Sequence, residues 1–198
     1  MVYYDHALVG ATLAVAAGLQ RRHGWPAVAL AALAGMFPDW DATPKHVRPE
    51  AYALGHRVWG HNLFAATLAG AVLGGTGYLI HRSRSHRSAP LPADPGGAGP
   101  WVGLGVAILW SHPLLDLLYC GWGPDVDWPV QLLWPASRRG FGLPWVPWSD
   151  WGATVVLAAG LLTCILARAH RRACALATLL LLALYIGIRG ALLWHIPR

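Results

Sequence analysis

Hydrophobic residues along this chain fall in six runs, roughly 7–19, 26–37, 62–80, 101–120, 152–167 and 173–195. Runs of that length without strict alternation predict helices rather than strands. Three of them, 62–80, 101–120 and 173–195, are close to the ~20 apolar residues that a bilayer-spanning helix needs. The run 152–167 is shorter but carries no charge before its end. The first two are short, and read as a helical hairpin that enters the bilayer without fully crossing it. Between the third and fourth runs, residues 81–100 read HRSRSHRSAPLPADPGGAGP. That composition predicts a flexible, basic, Pro/Gly/Ser-rich loop. No repeat of fixed period is visible, which excludes solenoids and propellers. The expectation is one all-α domain over residues 1–198, a membrane-embedded bundle of about six apolar helices, four or more of them spanning.

Composition sharpens this. Only 12% of the 198 residues are charged while 56% are hydrophobic, about half the charge that a soluble domain carries. A soluble domain could not cover its outside with so few charges, so lipid must solvate most of the surface. The net charge of +6 would by itself suggest a nucleic-acid partner. The basic residues, however, cluster between apolar runs, at Arg21/Arg22, at Arg82/Arg84/Arg87 and at Arg168/Arg171/Arg172, as loops of a membrane protein do. No nucleic acid is expected, and membrane lipid is. The three cysteines are odd in number and lack a CxxC spacing, which indicates neither a disulfide framework nor a zinc knuckle. Asp5 and His6 stand where a cleavable signal would be positive, so the first run is expected to be retained as a helix.

Alternating passes put the three basic turns on one side. His6, the FPDWD stretch, GHRVWGH and the 121–150 loop fall on the other. The positive-inside tendency then makes the basic turns of this multi-pass protein cytoplasmic and the second side extracytoplasmic. Trp122, Trp128, Trp134, Trp145, Trp148 and Trp151 crowd the 121–151 segment and read as interfacial anchors, with a lipid-binding groove as the alternative.

The candidate chemistry lies on that second side. His112 and Asp116 stand four apart inside an apolar run, about 40° apart on a helix, and an ionisable pair there must be hydrogen-bonded, line a cavity or hold a cation. Pro113 between them is expected to open the helix locally. Asp39 and Asp41 lie just past a helix, near the unfavourable end of its dipole. His56 and His61, five apart, reach one centre only if a helix begins between them, and Gly60 makes such a bend inexpensive. With His6, these seven residues form a nitrogen and oxygen cation site with room for one or two ions.

The order DHALVGATLA, FPDWD, GHRVWGH, SHPLLD and QLLWP resembles the YdjM-type family of LexA-regulated, inner-membrane, metal-dependent hydrolases. Carried over position by position, His6, Asp39, Asp41, His56, His61, His112 and Asp116 match that family's polar motif residues. Val58, Gly60 and Asn62 depart from its third motif, where Gly, Thr and Ser are usual. The resemblance implies a divalent metal, with zinc in front. A distant likeness to zinc-dependent phospholipase C and single-strand nucleases implies hydrolysis of a phosphoester, such as a phospholipid headgroup, by metal-activated water. His6, Asp39, His61, His112 and Asp116 are then the leading ligands. Asp41 and His56 are further ligands or catalytic bases, and Arg57, with Arg138 and Arg139, is a candidate phosphate holder. Two other readings compete: a non-catalytic membrane interaction protein whose His/Asp cluster is a structural clasp, and a small transporter, which would need polar residues on several spanning helices. Segments 152–167 and 173–188 offer only Thr and Tyr.

Overall fold

The computed structural model describes residues 1–87, 97–121, 128–148 and 150–194. Seven α-helices account for most of them: α1 (Tyr3–Ala16), α2 (Leu19–Met36), α3 (Pro49–Gly55), α4 (Leu63–Arg87), α5 (Gly99–Leu118), α6 (Gly152–Leu166) and α7 (Arg171–Trp194). A 3₁₀ segment, Phe37–His46, joins α2 to α3. Among the described residues there is no strand beyond isolated bridges such as Val130 with Phe141. All six expected apolar helices are present.

Three windows, Leu63–Ser83, Gly99–Leu118 and Arg171–Leu192, are long and apolar enough to cross a membrane. Helix α6 is apolar but has 15 residues, about 22 Å at 1.5 Å per residue, short of a ~30 Å hydrocarbon core. Exposed Leu68, Val72, Leu162, Leu180 and Leu184 place apolar side chains on the outside of the bundle, as lipid solvation requires. Helix α1 is central, touching α2, α5, α6 and α7, while α4 packs on α5 and α6 on α7. The α4–α5 contact is a backbone approach: a Cβ added at Gly105 would stand 2.2 Å from the Gly70 carbonyl oxygen. Small residues at such crossings replace the hydrophobic driving force that lipid removes.

Three expectations are corrected in detail. The chain from 81 onward stays helical to Arg87, because Arg, Ser and His continue a helix that has left its apolar stretch at little cost. Of the rest of that expected loop, 88–96 lies outside the described residues, as does Trp122, 97–98 form a turn, and Gly99 and Pro100 already open α5. Helix α5 runs through Pro113 without interruption. Proline is tolerated inside a membrane helix because neighbouring helices and side chains take up the freed backbone groups, and His112 and Asp116 on either side of it are buried in the bundle. Helix α2 is two pieces joined at Gly24, with φ at 76°. The apolar run expected from residue 26 is its second piece, opened by Pro26.

At one end of the bundle the basic turns meet. The His23 ring lies 4.8 Å from that of His81 and 4.7 Å from that of Trp101, and the Arg171 guanidinium sits 5.4 Å from the Trp25 ring centroid. The His and Asp residues gather elsewhere, around the N-terminus of α1, the 3₁₀ segment, the α3–α4 turn and the C-terminal half of α5.

Candidate metal centre

The site is built on four segments far apart in sequence. Helix α5 contributes His112 and Asp116, one turn apart on the same face. The turn between α3 and α4 contributes His56 and His61; α4 begins beyond both, at Leu63, and not between them as expected, so the turn itself lets the two rings converge. Asn62, fully buried, occupies the start of α4: its side-chain carbonyl accepts from the Ala65 amide at 2.7 Å, and its amide donates to the Val58 and Trp59 carbonyls at 2.8 and 2.9 Å. Asn at this place thus does the capping that Ser does elsewhere. Gly60 is required by proximity rather than by its φ. A Cβ there would lie 2.0 Å from the Pro38 carbonyl oxygen, and its amide donates to Asp41 Oδ2 at 2.9 Å.

Asp41 is buried and spends its carboxylate on donors. It accepts from His56 Nδ1 at 2.8 Å and from His61 Nδ1 at 3.0 Å. His112 Nδ1 donates to the Gly35 carbonyl at 2.7 Å. Once each Nδ1 carries the donated proton, His61 and His112 turn bare Nε2 lone pairs into the same space. The two Nε2 atoms are 3.1 Å apart. Asp116 Oδ2 lies 3.2 Å from the first and 3.8 Å from the second, and Asp39 Oδ1 lies 3.4 and 3.5 Å from them. Four acceptors facing one another repel unless a positive charge lies between them. The edge of a regular tetrahedron with 2.0–2.1 Å bonds is about 3.3 Å, and separations of 3.1–3.8 Å leave these groups able to hold a metal ion. Imidazoles oriented through Nδ1 by a carboxylate and by a backbone carbonyl are the usual supports of metal-bound histidine.

Burial acts against charge on His61, but the hydrogen bonds that its ring donates to Asp116, Asp39 and Asp41 prevail and hold its pKa well above the ordinary histidine value. Asp39 and Asp41 are likewise penalised by burial. Their histidine partners, His112 and His61 for the first and His56 and His61 for the second, nevertheless keep both carboxyls below the ordinary range. The carboxylates around His61 thus favour positive charge in this space.

His6 approaches from α1. Its Nε2 donates to Asp116 Oδ1 at 3.1 Å, its ring stacks on His112 at 3.5 Å between centroids, and its Nδ1 is buried without a partner. The Met1 amino group donates to the same Oδ1 at 2.7 Å. Arg57 lies behind Asp116, 1% exposed. Its guanidinium donates to the carbonyls of Trp128 (2.9 Å), Tyr119 (3.2 Å) and Asp116 (3.4 Å), and pairs with Asp116 Oδ2 at 3.4 Å. The seven expected site residues are therefore together. Arg138 and Arg139, by contrast, are exposed.

A cleft of about 680 Å³ opens onto this cluster, with Asp39, His56, Lys45, Tyr52, Leu33 and Trp148 among its lining. Asp39 (22% exposed side chain) and His56 (11%) are the site groups that reach it. Two of the tryptophans expected as interfacial anchors are instead part of this neighbourhood. Trp128 packs edge-on against His56 at 5.0 Å, and Trp148 lines the cleft while its ring lies 4.2 Å from the Arg57 guanidinium. Trp151, 68% exposed, is free to serve as an anchor.

Behind the site runs a polar seam that apolar patterning hid. Asp5, buried in α1, accepts from Thr154 of α6 at 2.6 Å. Asp150, which precedes α6, accepts from the Tyr185 hydroxyl of α7 and pairs with Arg189 at 3.1 Å. The Thr and Tyr that looked incidental are the ones that tie α1, α6 and α7 together. Their sequence signal was Asp5 itself, a carboxylate in an apolar helix that needs partners.

A helical membrane protein with a buried His/Asp cluster able to hold a metal ion is the class that fold and site define. Within that class, the model of the YdjM inner membrane protein family matches residues 1–196, and the chain belongs to that family. No curated protein and no solved structure matches it.

The Gly35 contact gives a first prediction. A Cβ at Gly35 would sit 2.3 Å from the His6 carbonyl oxygen, so Gly35→Ala must move the carbonyl that orients His112. Metal affinity measured by competition with a chromophoric chelator is expected to fall about 10–100-fold, the usual effect of losing a supporting contact. An unchanged affinity would show that the Gly35 carbonyl does not hold the ring.

Proposed function

We propose that this chain is a membrane-bound, metal-dependent hydrolase of phosphoesters, with one divalent cation, zinc in the first place, held by His61, His112, Asp116 and Asp39. The observation that carries the reading is that the His61 and His112 Nε2 atoms lie 3.1 Å apart and each lies 3.2–3.8 Å from carboxylate oxygens of Asp116 and Asp39, beside an open cleft. A cation there would acidify water and neutralise charge on phosphoryl oxygens.

The residues of the chain divide the remaining work. Asp41 fixes His61 through Nδ1, and its other oxygen fixes His56 in the same way. His56 thereby presents Nε2 toward the cleft beside Asp39, the position of a general base that takes a proton from water. His6 and Arg57 steady Asp116 from its two oxygens. Arg57 is accordingly a positioning residue, its donors being spent on carbonyls and on Asp116.

The test is cleavage of bis(p-nitrophenyl) phosphate and of phospholipid by the metal-loaded protein in detergent. Activity is expected to vanish on chelation, and His56→Ala should lower kcat by about 10²–10⁴, the range for loss of a general base, with metal content unchanged. A fully loaded protein inert toward both substrates would favour a structural cation, the clasp reading, over an enzyme.

A further inference from the structure

Two neighbouring helices carry uncharged stretches of one short length. In α6, residues 152–167 separate Trp151 from Arg168, and in α7, residues 173–188 separate Arg172 from Arg189. At 1.5 Å per residue each stretch is about 24 Å long, against a hydrocarbon core of ~30 Å. The apolar windows of α4 and α5, with 21 and 20 residues, have no such shortfall. A short turn joins α6 to α7 and the two pack on each other, so their stretches lie side by side. Arg168 and Arg172, both exposed, close this belt at the basic end of the bundle.

At the other end the belt is closed by Trp151 and Arg189. Arg189 falls inside the apolar window of α7, and could belong to the hydrocarbon region only if its charge were hidden. Its side chain is 35% exposed, and its Nη2 is tied to Asp150 Oδ2 at 3.1 Å. Its Nε is buried without a partner. A guanidinium so placed is costly against lipid tails and ordinary among headgroups and water. Asp150 is itself in non-helical backbone, which is not left facing hydrocarbon. Trp151, next to it and 68% exposed, has the character of an interfacial anchor. This end of the belt is the metal-centre end, for Thr154, at the start of α6, donates to Asp5, the neighbour of His6.

We infer that the outer face of α6 and α7 fits a thinned lipid bilayer, its surface drawn in by about 6 Å to the level of Trp151 and Arg189. An apolar stretch shorter than the membrane is accommodated by local thinning at modest cost. Exposed Val155, Leu162, Leu180 and Leu184 lie within this belt, and Leu192, exposed on the same helix, lies beyond it among headgroups. The membrane boundary is the same whether or not the bound cation is catalytic.

The full chain, with Cys174→Ser to remove its half-buried thiol, is reconstituted in phosphatidylcholine vesicles and spin-labelled at Leu180→Cys, Leu184→Cys or Leu192→Cys. All three positions face outward on α7. Labels at residues 180 and 184 are expected to collide mainly with dissolved oxygen. The preference should reverse at residue 192, toward a water-soluble nickel chelate. A label at 192 as shielded from the chelate as that at 184 would overturn the inference, and so would a label at 184 already open to it. The thermal midpoint of the unlabelled protein should also be higher in dimyristoleoyl than in dierucoyl phosphatidylcholine, the thinner and the thicker bilayer. An equal or higher midpoint in the thicker bilayer would contradict a belt of about 24 Å.

Discussion

Replacement of His112 by alanine is expected to empty the chain of its divalent cation. The substitution deletes one of four acceptor atoms and also the ring that stacks on His6 at 3.5 Å. Losing a supporting contact costs a metal site about 10–100-fold, and losing a ligand should exceed that range. Metal content by elemental mass spectrometry should fall from about one ion per chain, the count for a single tetrahedral site, to background, with helicity retained. The same centre gives a pH dependence. The carboxylates raise the pKa of His61, so the metal-free chain is protonated there below that raised value, and a cation must displace the proton. Apparent affinity should therefore climb with pH by up to about tenfold per unit, then level off above the raised pKa. Affinity independent of pH between 6 and 8 would contradict the assignment of His61 as a ligand.

The second large effect belongs to Arg57. Its backbone has φ at 63°, a left-handed conformation that a non-glycine residue holds only when the surroundings compel it. The compulsion is visible in the three carbonyls and one carboxylate that its guanidinium serves. Truncation to methionine leaves those carbonyls without a donor, and the loss of one partner of a buried ion pair costs about 3–5 kcal/mol. Arg57→Met should therefore lower the thermal midpoint in detergent far more than any exposed arginine, Arg139 for example. If Arg57 instead gripped substrate phosphate, stability would hardly move and KM would rise.

The bundle was legible because apolar length is a property of the sequence itself, and each of the six runs became a helix. The seven site residues were legible because ionisable side chains at the ends of apolar helices are conspicuous. Their division of labour was not. Asp39 and Asp41 differ by two positions in one motif, yet Asp41 is wrapped by two Nδ1 atoms and an amide while Asp39 faces the cleft. That distinction is made by the fold of the 3₁₀ segment against Gly60, which no pattern of residue types encodes. Trp128 and Trp148 were hidden for a related reason. An indole at a membrane boundary looks like one in a site until the fold brings Arg57 against the Trp148 ring and His56 against that of Trp128. Helix ends were misplaced where charge was taken as a stop signal, as at residues 81–87, although a helix leaving its apolar stretch tolerates Arg and Ser well.

The proposed hydrolase needs a four-coordinate nitrogen and oxygen centre made by His61, His112, Asp116 and Asp39. X-ray absorption at the zinc edge of the zinc-reconstituted protein tests it most directly. About one bound zinc per chain is expected, with two imidazole nitrogens and two oxygens at roughly 2.0–2.1 Å and no sulfur. A folded protein that takes up no zinc, or a first shell containing sulfur, would contradict it.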